Sequence, residues 1–448
     1  MATSLGNELA GDLAVRLRKA NAEVAARYPV ESGARQPVHT VYGGAHLFEA
    51  DLSGKLGRLA RRMLDTYGAD PVEMAAAIGV TDDAELARTV HARVIDKLAR
   101  EPVEDFRIDF EDGYGNRADA EEDGHAESAA REVAAGMAAG TLPPFIGIRI
   151  KPLSDELARR SLRTLDIFVT TLVGESGGTL PGGFVVTLPK ITTPTQVEVL
   201  VGTLAALEAA LGLDEGALEL ELMIETTQSI VGPDGRVMLP LLADAARGRC
   251  VAAHFGTYDY TAASAITAAH QHMMHPACDF ARNMMKNAYA GTGIWLSDGA
   301  TNIMPVPVHR GDALTDAQQA ENRASVYAGW RLHVEHIRHS LVNGYYQGWD
   351  LHPGQLPTRY AAVFAFFLEG LPAASERLKN FVARAAQATL VGDVFDDAAT
   401  GQGLLNFFLR GIACGAFPEE EALATGLTLD ELRGRSFVAI LRNRRGDS

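Results

Sequence analysis

Eight short apolar runs alternate with helical patterns along residues 37–356, and this alternation most constrains the fold. Strands that alternate with helices indicate a parallel sheet with right-handed crossovers, and eight such units close into a (β/α)8, or TIM, barrel. An open doubly wound sheet is the alternative, but no GxGxxG motif opens a helix after the first run. We therefore predict an α/β protein built on a TIM barrel. The runs lie within 37–44, 105–115, 143–152, 183–190, 218–226, 251–260, 291–308 and 348–356.

Outside these eight runs, much of the sequence shows patterns that predict helices. Residues 1–36 read as an N-terminal helical extension, and residues 37–356 as the barrel. The helical pattern over about 52–100 is longer than one crossover needs, so we predict an inserted helical segment there. Residues 357–448 show helical patterns and no further strand, which predicts a C-terminal helical segment.

Charge and cysteine content exclude several classes of protein. The formal net charge of -16 argues against nucleic acid and anionic membranes as partners. The three cysteines are widely spaced and form no CxxC pair, which favours a reducing, cytoplasmic location. No apolar run reaches transmembrane length. We expect a cytoplasmic protein, with apolar C-terminal helices that favour a homo-oligomer.

Acidic side chains follow several of the predicted strands. Glu225 ends the fifth run and Asp259 follows the sixth, 34 residues later, which is about one βα repeat. Because the carboxyl ends of barrel strands meet at one rim, these carboxylates are expected side by side. Two carboxylates with water suit Mg²⁺, with Mn²⁺ as the alternative. Zinc is disfavoured because no histidine pair shares this spacing.

Basic side chains from neighbouring runs complete a candidate site. Arg149 and Lys151 in the third run would supply positive charge for a carboxylate substrate. Lys190 ends the fourth run and offers a Schiff base in principle, although the carboxylate pair favours a metal-dependent mechanism. A metal and an arginine together stabilise the negative charge of an enolate. The residues alone thus predict a metal-assisted enzyme.

Two histidines lie in or beside the strands. His254 falls within the sixth run, so its side chain is a candidate to point into the barrel. His352 ends the eighth run, where a structural and a substrate-facing role are equally open, and proton transfer is among its candidate roles.

Seven motifs, in order, resemble one known superfamily. The segments IDFEDGYG, RIK, LPKI, MIET, FGTYDY, LSDG and DLHPGQ are similar to the DLEDAV, RVN, LPK, IET, FG-x-x-D, IDG and IHP-x-Q segments of the HpcH/HpaI aldolase and citrate lyase β-subunit-like superfamily. FGTYDY also resembles the GRWDY segment of malate synthases. The matches span roughly residues 37–356.

The resemblance implies a TIM barrel that binds Mg²⁺ through Glu225 and Asp259. It implies that Arg149 binds the substrate carboxylate or carbonyl oxygen. Asp109, Glu111 and Asp112 match the acids of the DLED segment, with Glu111 beside the metal or its waters. The family cleaves or forms a carbon–carbon bond next to a keto acid or an acyl-CoA thioester, through an enolate.

Two departures from the family pattern bear on the substrate. Ile150 and Lys151 follow the arginine where a small or polar pair is usual, and the acidic residue usual after LPK is missing. Gly256 marks a place where backbone approaches a ligand, so Gly256 and Thr257 are further substrate-binding candidates.

Three hypotheses for the activity follow. The first is a Mg²⁺-dependent carbon–carbon lyase or aldolase that acts on a small oxo- or hydroxy-acid or its CoA ester. The second is a malate-synthase-like Claisen condensation of an acyl-CoA with glyoxylate. The third is a non-catalytic barrel that binds a metabolite.

Overall fold

A closed barrel of eight parallel strands, β1 to β8 in chain order, forms the centre of the protein in a computed structural model. The structure describes residues 6–29, 35–311, 313–383, 389–391, 394–396, 398–423, 425–434, 440 and 443. The predicted TIM barrel is confirmed. The strands are β1 His39–Gly44, β2 Asp105–Asp109, β3 Phe145–Arg149, β4 Phe184–Leu188, β5 Glu219–Ile224, β6 Cys250–Phe255, β7 Trp295–Ala300 and β8 Gln347–Asp350.

Fifteen α-helices lie within the described ranges, and those between the strands cover the barrel. Three of them, α2 to α4, fill the segment between β1 and β2, and α4 packs against α12. The helices are α1 Asn7–Arg27, α2 Leu52–Tyr67, α3 Pro71–Ile78, α4 Ala84–Arg100, α5 Asp119–Ala139, α6 Ala158–Glu175, α7 Pro194–Leu211, α8 Leu239–Ala245, α9 Thr257–Ala263, α10 Pro276–Tyr289, α11 Asp316–Val342, α12 Leu356–Ala383, α13 Ala398–Ala413, α14 Glu419–Leu423 and α15 Leu429–Gly434.

The C-terminal segment differs from the prediction in one respect. It contains two short antiparallel strands, β9 Thr389–Val391 and β10 Val394–Asp396, so the expectation of no further strand was wrong. Three-residue strands are too short to show a period-2 pattern in sequence. No helix in the described ranges is long and apolar enough to cross a membrane.

The middle of the barrel is polar. The guanidinium of Arg107 donates hydrogen bonds to Asp105, to Glu221 at 3.3 Å and to Thr187 at 3.2 Å. His254 is fully buried and points inward, with Nδ1 3.1 Å from the Tyr42 hydroxyl. The charged groups at this level are therefore paired and hydrogen-bonded, with Asp105 and Glu221 sharing one guanidinium.

Candidate active site

Four carboxylates meet around one lysine at the carboxyl ends of the strands. The Lys190 ammonium donates to Glu111, and its Nζ lies 3.3 Å from Asp112 Oδ2 and 3.5 Å from Asp259 Oδ2. The backbone N–H of Lys190 donates to Glu225 Oε1 at 2.7 Å. A single residue just after β4 thus contacts acids that follow β2, β5 and β6.

Lys190 reaches these acids from an uncommon backbone conformation. Its φ is 50°, in the left-handed region that side-chain-bearing residues rarely adopt. Such a conformation costs on the order of 1–3 kcal/mol and persists where surrounding contacts compensate for it. Here it aims the amide at Glu225 and leaves the side chain free to reach Glu111.

Glu225 is the most buried carboxylate of the group, at 1% exposure. Burial, and the nearby charge of Asp259, raise the pKa of Glu225 to about 8 against the opposing influence of Lys190 and Arg149. Gly256 makes room for it, because a Cβ on Gly256 would lie 2.5 Å from Glu225 Oε2. The protein's own positive groups therefore compensate the negative charge of an ionised Glu225 only in part.

Asp259 and Asp112 form the open side of the group. Asp259 lies in the first turn of α9, which starts directly after Gly256, and its side chain is 40% exposed. The Asp112 side chain is 60% exposed. Solvent, and so a ligand, has access to the carboxylates from this side.

Arg149 lies beneath the carboxylates and is held on several sides. Its Nε and Nη2 donate to the two oxygens of Asp109 at 2.7 and 2.6 Å, and its Nη1 lies 3.3 Å from Glu111 Oε2. The rings of Tyr42 and Trp349 lie 4.8 and 5.5 Å from the guanidinium carbon. Although burial opposes it, Asp109 raises the pKa of Arg149, so the guanidinium stays charged.

Other predicted residues lie in structural contacts. The Lys151 ammonium donates to the Phe110 carbonyl at 2.6 Å and pairs with Glu122 at 3.1 Å. The Thr257 hydroxyl lies 3.1 Å from the sulfur of Met273. None of these contacts joins Lys151 or Thr257 to the four carboxylates.

His352 and Asp298 also have partners of their own. His352 Nδ1 accepts the Gly354 amide at 3.0 Å and caps a short turn, and burial lowers the pKa of its imidazole. Asp298, which follows the seventh run's apolar residues, receives hydrogen bonds from Arg282 at 3.0 Å and Ser340 at 2.6 Å. Both therefore stabilise the loops and helices behind the rim.

The residues present fit a hard divalent cation. Within the part of the chain that the structure describes, no three His, Cys, Asp or Glu side chains form a ligand set. Glu225 and Asp259 would supply two carboxylates, and Mg²⁺ is commonly bound by one or two carboxylates with water and substrate completing its octahedron. The under-compensated charge of Glu225 is what a cation would neutralise.

The sequence predicted a different role for Lys190 and gave no signal for two other contributors, Tyr42 and Trp349. Lys190 was noticed only as a Schiff-base candidate, although LPK placed it at a strand end. Tyr42 and Trp349 enclose Arg149, and neither carries a sequence signal beyond its place in a barrel strand. Burial and its carboxylate neighbours have opposite effects on Lys190, and the carboxylates prevail and raise its pKa, which disfavours the neutral amine that a Schiff base needs.

Comparison with known proteins supports the fold. A citrate lyase of Burkholderia xenovorans LB400 is 17% identical, covers 90% of this chain and 99% of its own, and superposes with a TM-score of 0.57. The citrate-lyase-like fold inferred from the motifs is thereby confirmed.

Two further structures are more distant. Protein CitE of Mycobacterium tuberculosis, in complex with magnesium, acetoacetate and coenzyme A, is 16% identical with a TM-score of 0.47, over 85% of this chain and 99% of its own. Haloferax volcanii malate synthase, in its pyruvate/acetyl-CoA ternary complex, is 14% identical with a TM-score of 0.43, over 92% and 98%.

No protein of curated function matches the sequence. One family profile does, described as "Domain of unknown function (DUF6986)", and it matches residues 17–440. Since that match spans nearly the whole chain, the protein belongs to the DUF6986 family.

Proposed function

We propose that the protein is a Mg²⁺-dependent carbon–carbon lyase or aldolase that acts on a small oxo- or hydroxy-acid or its CoA ester. The observation that carries the proposal is the convergence of four carboxylates on one open rim with Lys190 and Arg149 as their nearby cations. In the middle of this barrel two acids share one buried arginine, whereas at the rim four carboxylates share Lys190 and Arg149 and leave a larger excess of negative charge.

The proposed roles follow from position. Glu225 and Asp259 would hold the cation, whose positive charge stabilises developing negative charge on substrate oxygens. Glu111 and Asp112 would orient water around it. The four carboxylates follow three strand ends: Glu111 and Asp112 follow β2, Glu225 follows β5 and Asp259 follows β6.

Arg149 is the proposed second positive group for the substrate. Nε and Nη2 are committed to Asp109, so Nη1, which faces Glu111, is the donor directed toward the rim. The flanking rings of Tyr42 and Trp349 restrict the guanidinium, so little reorganisation is needed when an oxyanion develops beside it.

We assign Lys151, Thr257 and His352 to positioning the rim loops, because the Lys151 ammonium, the Thr257 hydroxyl and His352 Nδ1 each contact a neighbouring residue. Gly256 serves the site through its missing side chain, which leaves the space that Glu225 fills.

The proposal is tested by incubating the protein with Mg²⁺ and a panel of oxo- and hydroxy-acids and their CoA esters, and following substrate loss and thermal stability. We expect Mg²⁺-dependent cleavage in the wild type and its loss in Glu225→Ala. The matched control is Glu49→Ala, an exposed acid on the segment before α2, which should behave as wild type.

The outcomes separate the three hypotheses. Cleavage that is independent of Mg²⁺, or that persists in the Glu225→Ala variant, would contradict the proposal. Consumption of acetyl-CoA only in the presence of glyoxylate would favour the condensation. Ligand-induced stabilisation with no turnover of any compound would favour a metabolite-binding barrel.

A further inference from the structure

We propose that metal binding at this site is a cation exchange. Before the divalent cation binds, the Lys190 ammonium lies among the four carboxylates; when the cation binds, the ammonium releases Asp259 to the cation. The inference rests on the proposed function, because it takes Glu225 and Asp259 as the metal-binding pair. It adds a role for Lys190 as the residue that sets the affinity of the site for metal.

The contacts of the ammonium point to this exchange. Lys190 Nζ pairs with Glu111 most closely, and lies 3.3 Å from Asp112 and 3.5 Å from Asp259. One of the two proposed metal-binding carboxylates thus interacts with an internal cation. The Lys190 side chain is 30% exposed, so it has room to move without unpacking the barrel.

Charge explains why both cations cannot hold Asp259 equally. An ammonium and a divalent ion that share one carboxylate repel each other, and near a protein surface this repulsion amounts to several kcal/mol at about 4 Å. Glu111 offers the ammonium an alternative, since its closest contact is already there. The expected result is a lysine that retreats to Glu111 and Asp112.

The backbone of Lys190 has a separate task. Its N–H donates to Glu225 Oε1 at 2.7 Å, from a backbone with φ of 50°. This hydrogen bond does not depend on the side chain beyond Cβ. Shortening the side chain therefore removes the competing charge while the amide continues to hold Glu225.

The exchange is tested by measuring Mn²⁺ and Mg²⁺ affinity, using electron paramagnetic resonance of free Mn²⁺ and calorimetry, in the full chain without substrate. We expect Lys190→Met to bind Mn²⁺ about tenfold more tightly or better, since a competing unit charge is gone. Lys190→Arg keeps the charge and should remain close to wild type. Lys55→Met is the matched control, because Lys55 is exposed on α2 and its loss changes the net charge equally.

Thermal stability supplies a second readout. Without metal, Lys190→Met should melt below wild type, because its carboxylates lose their cation. With saturating Mn²⁺ it should gain more stability than wild type does. Lys190→Gln gives the same comparison if the methionine variant does not fold.

The outcomes distinguish the exchange from the proposed function. Glu225-dependent Mn²⁺ binding in the wild type, with affinity unchanged or weaker in both Lys190→Met and Lys190→Gln, would overturn the exchange and leave the metal site standing. Absence of Mn²⁺ binding in wild type and lysine variants alike would overturn both. Tighter binding in the lysine variants that Glu225→Gln abolishes would support both.

Discussion

Two glutamates on the inner side of β5 and its end, four residues apart, have opposite electrostatic surroundings. Glu221 lies in the middle of the barrel, where Arg107 and His254 outweigh burial and lower the pKa of its carboxyl to about 2. Glu225 lies at the rim, where burial and Asp259 raise the pKa of its carboxyl to about 8. Both carboxylates are almost completely buried.

The difference lies in the partners. Glu221 receives hydrogen bonds from Arg107 and Thr187, at 3.3 and 2.9 Å, so its charge has a cationic partner within the fold. Glu225 accepts one backbone amide and faces another acid. A buried carboxylate with a cationic partner is costly to unpair, whereas one left with excess charge marks a candidate binding site.

The largest expected effect comes from removing the cationic partner of Glu221, the glutamate in the middle of the barrel. Arg107→Met leaves Glu221 and Asp105 as buried acids without their cation, and should lower the free energy of unfolding by about 3–5 kcal/mol. Denaturant unfolding measures this. Arg62→Met, on the exposed face of α2, should change stability by less than about 0.5 kcal/mol. A small effect of Arg107→Met on the free energy of unfolding would contradict the proposed difference between Glu221, in the middle of the barrel, and Glu225, at the rim.

The pH dependence of unfolding in acid should show the contribution of the Glu221 carboxylate to stability. Its folded-state pKa of about 2 lies below the ordinary 4.5, so the unfolded state binds the proton first as pH falls. The contribution of Glu221 is complete above pH 4.5 and is lost between about pH 4.5 and 2, for a total of about 3 kcal/mol. Unfolding measured against pH should be less steep in this window for Glu221→Gln. Parallel profiles in the two proteins would contradict the assignment.

The outer glutamate should affect function rather than stability. Glu225→Gln keeps the size of the side chain and an oxygen for the Lys190 amide, but removes the charge proposed to bind metal. We expect Mg²⁺-dependent turnover to fall at least about a hundredfold, since removing even a supporting partner of a metal ligand costs about 10–100-fold. The free energy of unfolding without metal should stay within about 1 kcal/mol of wild type or rise. Strong destabilisation with turnover intact would reverse the comparison.

The smallest expected effect concerns the space beside Glu225. The Cβ introduced by Gly256→Ala would lie 2.5 Å from Glu225 Oε2 and 2.6 Å from Glu225 Cβ, so the whole side chain of Glu225 must shift. We expect metal affinity to fall about tenfold, or about 1.4 kcal/mol. Gly124→Ala in α5 is the control, because its Cβ meets nothing within 4 Å. Equal affinities for the two variants would show that the position of Glu225 tolerates displacement.

Much of the fold could be predicted because it depends on local periodicity. Apolar runs that alternate with helical patterns predicted eight strands and their closure, and strand ends predicted that Glu225 and Asp259 lie near one rim. The hairpin β9–β10 was not predicted because its strands have three residues each. The side on which Lys151 lies was also not predicted, since it depends on where the strand ends and on the two-residue alternation of its side chains.

The sequence by itself determined the barrel, the rim and the residue types that the rim carries, because each depends on short-range pattern and chain order. Only the tertiary structure decided which acids have their charges matched. Arg107 reaches Glu221 across 114 residues, and Lys190 reaches Glu111 across 79. Such pairings depend on strand register and burial, which set both the partner of each carboxylate and the cost of its charge.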